Sequence, residues 1–156
     1  MNNINYIKGD ATTPKGEGCK IIVHVCNDVG GWGKGFVLAI SSKWKEPEIQ
    51  YRQWHKKKEG FALGEVQFVQ AEDDIWIANL IGQRNINKDE FGSPPIRYDA
   101  IEVGLFKVTD FAKQKKASVH MPRIGCGLAG GKWEHIEPLL IRAFCENQIE
   151  VTVYDF

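Results

Sequence analysis

The sequence lacks a net charge, paired cysteine motifs and any long apolar run. Its 156 residues include 20 Lys and Arg and 20 Asp and Glu, a balance that does not indicate general nucleic-acid or membrane-surface binding. The cysteines form no CxxC motif and lie among apolar residues, which predicts thiols in a reducing compartment and no metal site. They are Cys19, Cys26, Cys126 and Cys145. Because no apolar run reaches about 18 residues and no signal-peptide core is seen, we expect a cytoplasmic protein.

The hydrophobic pattern predicts a single mixed α/β domain over residues 1–156. The apolar period switches repeatedly between two and about 3.6, as strands and helices alternate. Strands are predicted at residues 4–8, 20–26, 65–70, 75–81, 118–124 and 149–154. Helices are predicted after Gly35, with a proline break and a continuation over 47–58, and over 98–116 and 133–147. Helices between strands favour a three-layer α/β/α domain, and the hairpin at 65–81 makes its sheet mixed.

Two predicted strand-to-helix junctions are rich in glycine. They are "NDVGGWGKGF", residues 27–36, and "MPRIGCGLAGGKW", residues 121–133. Glycine permits positive φ and lets a ligand approach the backbone, and a following helix N-terminus offers unpaired N–H groups to an anion. One such loop indicates a phosphate site and two indicate a diphosphate site, at the carboxyl ends of the strands. Tight turns without a ligand remain the alternative for either loop alone.

Two familiar nucleotide motifs compete with this interpretation. A P-loop requires GxxxxGK followed by Ser or Thr, and "GGWGKGF" has its lysine elsewhere, so that class is not supported. The segment "GCGLAG", residues 125–130, matches GxGxxG and is followed about 25 residues later by Asp155. This match makes an NAD-binding oxidoreductase domain an alternative. It is ranked lower because it leaves the first glycine loop unexplained.

Five segments resemble the macrodomains, a family that binds ADP-ribose. They are "YIKGDATTPKG", "IIVHVCNDVGGWGKGF", "IANLIGQRN", "MPRIGCGLAGGKWE" and "VTVYDF", and they extend over essentially the whole chain. The resemblance is greatest to the branch of ADP-ribose 1''-phosphate phosphatases and terminal ADP-ribose protein glycohydrolases. It implies a three-layer macrodomain-like fold with a mixed central sheet. It also implies ADP-ribose, an ADP-ribose derivative or ADP-ribosylated macromolecules as partners, with no cofactor.

The resemblance also implies the ligand contacts. Asp10 would accept a hydrogen bond from the adenine amine, and Asn27 would contact ribose hydroxyls. Tyr154 or Phe156 would pack against adenine, with packing of the chain end as the alternative. Trp32 has little core to enter from a glycine loop and would cover the distal ribose. The full implied set is Asp10, Ala11, Asn27, Gly31, Trp32, Gly33, Gly35, Phe36, Ile124, Gly125, Cys126, Gly127, Leu128, Ala129 and Tyr154.

The sequence lacks the two catalytic residues of the protein glycohydrolases in this branch. Its protein glycohydrolases use a lysine shortly after "LI" and an aspartate after "CGL", where this chain has Gln83 and Ala129. Neither residue forms a Schiff base or acts as a general base, so the sequence does not support that lysine-dependent mechanism. Phosphatase-like members carry a histidine that corresponds to His24, and a histidine with a near-neutral pKa would act as nucleophile or acid. A structural histidine, and a reader or scavenger without catalysis, remain the alternatives.

Overall fold

The structure is a computed structural model that describes residues 2–156. Its strands are β1 (Asn5–Lys8), β2 (Lys20–Asn27), β3 (Val66–Glu72), β4 (Ile75–Gln83), β5 (Ser118–Met121) and β6 (Val151–Asp155). Its helices are α1 (Phe36–Lys43), α2 (Glu46–Lys57), α3 (Tyr98–Lys115) and α4 (Trp133–Ala143), with a 3₁₀ turn at Cys145–Asn147. Within these residues no helix is both long enough and apolar enough to cross a bilayer.

The six strands form one sheet in the order β1-β6-β5-β2-β4-β3. Only β3 runs antiparallel to its neighbour, β4, and the other paired strands are parallel. The predicted mixed sheet is therefore confirmed, and it results from the 66–83 hairpin. Because the remaining strands are parallel, β2, β4, β5 and β6 end at one edge of the sheet, where both glycine loops begin.

Helices cover both faces of the sheet, as predicted. Side chains of β2 alternate between two hydrophobic cores, because successive residues of a strand point to opposite faces. Ile21 and Val23 pack into the core that contains α3 and α4. Ile22 and Cys26 pack into the second core, beneath α1 and α2. The domain thus has three layers, with the glycine loops exposed at their common edge.

Three element boundaries differ most from the sequence prediction. Strand β5 ends at Met121 because Pro122 has no N–H for the ladder. The break between α1 and α2 falls at Trp44, with φ −136°, and Pro47 is instead accommodated in the first turn of α2, where its missing N–H needs no partner. Helix α4 ends at Ala143, after which the chain tightens into the 3₁₀ turn and Gln148 adopts φ 56°.

Candidate ligand-binding site

A cleft lies between the two glycine loops at the carboxyl ends of the central strands. It consists of two adjoining cavities of about 260 and about 500 Å³. Both are lined by Val25 of β2, Gln83 of β4, Val37 of α1, and Lys34 and Leu128 of the two loops. Because these residues are shared, the cavities form one continuous site that extends across the sheet edge.

The first loop is held in place by the side chain of Asn27. Its Oδ1 accepts hydrogen bonds from the N–H groups of Val29 (3.0 Å) and Gly31 (2.9 Å), and its Nδ2 donates to the Gly31 carbonyl (3.0 Å). The Tyr51 hydroxyl of α2 donates to the Asn27 carbonyl at 2.6 Å. Gly30 has φ 77°, and a Cβ there would lie 2.4 Å from Nδ1 of His55. Asn27 and α2 therefore fix the shape of this loop.

The second loop folds tightly on itself. The Gly131 N–H donates to the Gly125 carbonyl at 2.7 Å, and a Cβ on Gly131 would lie only 2.4 Å from that oxygen. Gly125 has φ 73°, a conformation that side-chain-bearing residues rarely adopt. The backbone N–H groups of residues 127–129 donate no hydrogen bond within residues 2–156. They are therefore available to a ligand in the cleft.

The cleft has the electrostatic character of an anion site. Helix α1 begins directly after Gly35, has no capping side chain and has no acidic residue in its first turn. Its first N–H groups are unpaired and carry partial positive charge. Lys34 and Lys88 also line the cavities, and no Asp or Glu among the described residues does so. Arg123 lines the smaller cavity as well, but its guanidinium is paired with Asp155 through hydrogen bonds of 2.7 and 3.1 Å. This arrangement favours an anionic ligand and provides no carboxylate to act as a base.

His24 lines the smaller cavity but is buried, with 2% of its surface exposed. Its Nε2 lies 2.5 Å from Oδ1 of Asn79, whose Nδ2 donates to Gln67 Oε1 (3.1 Å) and the Pro47 carbonyl (3.2 Å). Since the Asn79 amide nitrogen is used as a donor, its oxygen accepts from Nε2–H, and Nδ1 of neutral His24 is the unprotonated nitrogen.

The acid–base state of His24 differs from the sequence expectation. Burial lowers the pKa of His24 to about 4, although the hydrogen bond to Asn79 acts in the opposite direction. The expectation of a near-neutral pKa is therefore wrong. At neutral pH the ring is uncharged, so it can accept a proton or act as a nucleophile but does not act as an acid.

Most of the predicted ligand-binding residues line the cleft. These are Asn27, Gly31, Gly33, Gly35, Phe36, Ile124, Gly125, Gly127, Leu128 and Ala129. Trp32 does not, and the premise that it finds little core to enter is wrong. It is 3% exposed, packs between His24 and Tyr51, and donates from Nε1 to Ser41 Oγ at 2.7 Å. The loop turns beneath α2, which provides the core that Trp32 enters.

Asp10, Ala11, Cys126 and Tyr154 lie outside the lining of the two cavities. Asp10 Oδ1 accepts hydrogen bonds from the Thr12 N–H (2.8 Å) and hydroxyl (2.7 Å). Burial alone would raise the pKa of Asp10, but these bonds and the charge of Lys43 lower it below its ordinary value. Tyr154 is buried, and its hydroxyl contacts His120 and the Lys15 backbone.

The cleft has a third wall, formed by a segment for which the sequence left two possibilities open: the loop with "GSPP", residues 92–95, closes over the distal ribose or forms a rigid surface turn. Sequence reasoning did not identify residues 86–88 as part of this wall. Residues 86–88, Pro94 and Pro95 line the larger cavity. This segment is attached to both glycine loops, because the Asn85 N–H donates to Asp28 Oδ1 (2.7 Å) and the Ile96 N–H donates to the Ala129 carbonyl (3.1 Å). The only local sequence signal for this segment is the "GSPP" turn, and that turn does not indicate where the segment packs.

The fold and the cleft place this chain among the α/β domains whose ligand sites lie at the carboxyl ends of sheet strands. No family model matches the chain. A Bacteroides thetaiotaomicron protein of unknown function is 60% identical, with a TM-score of 0.98, covering 99% of this chain and 98% of that one. A macrodomain protein from Streptomyces coelicolor is 51% identical, with a TM-score of 0.89, covering 99% of each chain. The chain therefore belongs to the macrodomain family.

Two further relatives differ in how much of their own length is matched. The mouse chromodomain-helicase-DNA-binding protein 1-like is 34% identical over 99% of this chain, which spans only 18% of that protein. The Candida albicans ADP-ribose 1''-phosphate phosphatase is 26% identical over 88% of this chain and 91% of its own length. The second similarity covers nearly the whole of both proteins.

Proposed function

We propose that this macrodomain binds ADP-ribose or an ADP-ribose derivative in the cleft, with the diphosphate between the two glycine loops. The observation that carries the proposal is that the unpaired N–H groups at the start of α1, directly after the first loop, and those of residues 127–129 in the second loop border one cleft lined by Lys34 and Lys88 and by no carboxylate. Opposed amide groups with a helix N-terminus match a diphosphate, which carries charge on both phosphorus centres. Asp10 is assigned to the adenine amine and the larger cavity to the distal ribose.

We further propose that the ligand is hydrolysed when it carries a 1''-phosphate. The similarity to a relative named ADP-ribose 1''-phosphate phosphatase supports this reaction. In this mechanism Nδ1 of neutral His24 accepts a proton from the water that attacks phosphorus, while the Asn79 oxygen holds Nε2–H. The bond between phosphorus and the 1''-oxygen breaks, the proton on Nδ1 passes to that oxygen, and ADP-ribose and inorganic phosphate are released. In the alternative, Nδ1 attacks phosphorus, the same bond breaks, ADP-ribose leaves with a proton from water, and water then hydrolyses the phosphohistidine. Gln83 and Ala129 line the same cavity, so a mechanism that uses lysine and aspartate at those positions has no support.

A non-catalytic reader or scavenger of free or protein-linked ADP-ribose is the second candidate. It is favoured by the 2% exposure of His24 and by the lack of carboxylates in the described lining. Because the chain belongs to the macrodomain family, we assign "GCGLAG" to the diphosphate, and the proposed NAD-dependent oxidoreductase loses its main argument.

A phosphorus NMR time course with ADP-ribose 1''-phosphate distinguishes these functions. Shifted diphosphate signals with release of inorganic phosphate support the phosphatase, and shifted signals alone support the reader. Unchanged signals throughout would contradict both. Phosphate release should be lost in His24→Asn and kept in His135→Asn, which alters an exposed histidine on α4. An unchanged rate in His24→Asn would remove His24 from the mechanism.

A further inference from the structure

We propose that Tyr154 and His120 are positioning residues that hold the Asp10 segment in the conformation that recognises adenine. The inference rests on the proposed function, because it assigns Asp10 to the adenine amine. For Tyr154 the sequence left open packing against adenine and packing of the chain end, and in the structure its hydroxyl has contacts inside the domain, with His120 and the Lys15 backbone.

A buried chain of hydrogen bonds connects β5 to the segment after β1. Nε2 of His120 lies 2.7 Å from Ser118 Oγ, and Nδ1 of His120 lies 2.7 Å from the Tyr154 hydroxyl. That hydroxyl in turn accepts the backbone N–H of Lys15 at 2.9 Å. His120 and Tyr154 are 2% and 3% exposed, so water does not readily replace the hydrogen bond between them.

The donors and acceptors of this chain can be ordered in one direction. The Tyr154 oxygen accepts from Lys15, and one order that satisfies the remaining groups has the Tyr154 hydroxyl donating to Nδ1 of His120 and His120 donating from Nε2 to Ser118. This order requires a neutral imidazole. Burial, followed by the charge of Lys20, lowers the pKa of His120 to about 4, and burial raises the pKa of Tyr154. Both groups therefore keep the required protons at neutral pH.

The hydroxyl of Tyr154 is the single hydrogen-bond partner of an otherwise exposed stretch. Among residues 2–156, no other hydrogen bond attaches residues 14–17. The preceding turn is held by Lys43, whose Nζ donates to the Thr12 carbonyl at 2.7 Å. Asp10 Oδ1 is occupied by Thr12, so Oδ2 is the oxygen available to a ligand. Within the turn the Thr13 N–H donates to the Asp10 carbonyl at 2.9 Å, and the Gly9 N–H donates to the Asp155 carbonyl at 2.9 Å. Loss of the Tyr154 contact therefore releases residues 14–17 on the carboxyl side of the turn, while the bonds on its amino side remain.

The test compares ADP-ribose with inosine diphosphate ribose, which has a carbonyl in place of the adenine amine. Isothermal titration should show that the protein prefers ADP-ribose by about tenfold or more, as expected for a hydrogen bond to a carboxylate. In Tyr154→Phe this preference should fall below about threefold, mainly through weaker ADP-ribose binding. A variant that is only less stable weakens both ligands by the same factor.

Two pairs of variants make the comparison specific. Tyr51→Phe removes a hydroxyl that holds the first glycine loop, so it should weaken both ligands equally and keep the preference. His120→Gln retains an acceptor for the Tyr154 proton and should keep much of the preference, whereas His120→Leu should lose it. If these core variants fail to fold, Lys15→Pro removes the same hydrogen bond from the exposed side.

Each outcome has a defined meaning. A preference that is lost in Tyr154→Phe or Lys15→Pro and kept in Tyr51→Phe supports the inference. An unchanged preference in Tyr154→Phe overturns it and leaves ADP-ribose binding intact. Equal binding of both ligands by the unaltered protein also overturns it, because Asp10 then does not read the amine. Failure to bind ADP-ribose at all instead rejects the proposed function.

Discussion

Acidification from pH 7.5 to pH 5 should destabilise the protein through two buried histidines. Burial lowers the pKa values of His24 and His120 from the ordinary 6.5 to about 4. Between pH 4 and pH 6.5 these histidines are protonated in the unfolded chain but not in the folded protein. The unfolding free energy therefore rises with pH in this range and is lost as the pH falls from 6.5 to 4. At pH 5 each histidine accounts for about 2 kcal/mol, since one pKa unit corresponds to about 1.4 kcal/mol.

Urea denaturation at both pH values measures this effect directly. The unaltered protein should lose about 4 kcal/mol of unfolding free energy, and His24→Gln should lose about 2 kcal/mol. The exposed His135 provides the control, because His135→Gln leaves both buried rings in place. A loss below about 1 kcal/mol in the unaltered protein, or an equal loss in His24→Gln, would refute a buried neutral His24. Asp10 contributes little in this window, because its pKa lies below 3.8.

Four further substitutions test the architecture of the cleft. Gly127→Val should leave the melting temperature nearly unchanged, since a Cβ there meets nothing within 4 Å, but it should weaken ADP-ribose binding about tenfold. Gly130→Val is the contrasting variant: Gly130 has φ 79°, so this substitution should destabilise the fold by about 1–3 kcal/mol. Lys34→Gln should weaken ADP-ribose binding several-fold in titration calorimetry, with a larger effect at low salt. Asn79→Leu removes the partner of His24 Nε2 and should lower the unfolding free energy by about 1–3 kcal/mol; no change in urea denaturation would argue against that hydrogen bond.

Periodicity and local turn chemistry were sufficient to predict the layers and the position of the cleft. The 66–83 hairpin and the helices between strands are short-range patterns, so the sequence predicted the mixed three-layer fold correctly. Gly125 and Gly35 adopt positive φ at strand-to-helix junctions, which the glycine-rich segments had indicated. Boundaries were less accurate because they depend on single residues such as Pro122.

The direction in which individual side chains point could not be predicted in the same way. Trp32 stands among glycines, and nothing local indicates that α2 folds over it. Tyr154 precedes the chain end, and its hydrogen bonds go to residues that are 34 and 139 positions away. The lowered pKa of His24 likewise results from burial beneath α1 and α2. These features depend on tertiary packing, which a single sequence does not encode locally.

Backbone amide NMR during titration with ADP-ribose tests the central claim most directly. If the diphosphate lies between the two loops, the largest shift changes should occur together in residues 31–37 and 125–129, with saturation at a single affinity. The outer face of α2 should change little and serves as the internal control. Changes in only one loop, or none at millimolar ADP-ribose, would contradict a diphosphate site formed by both.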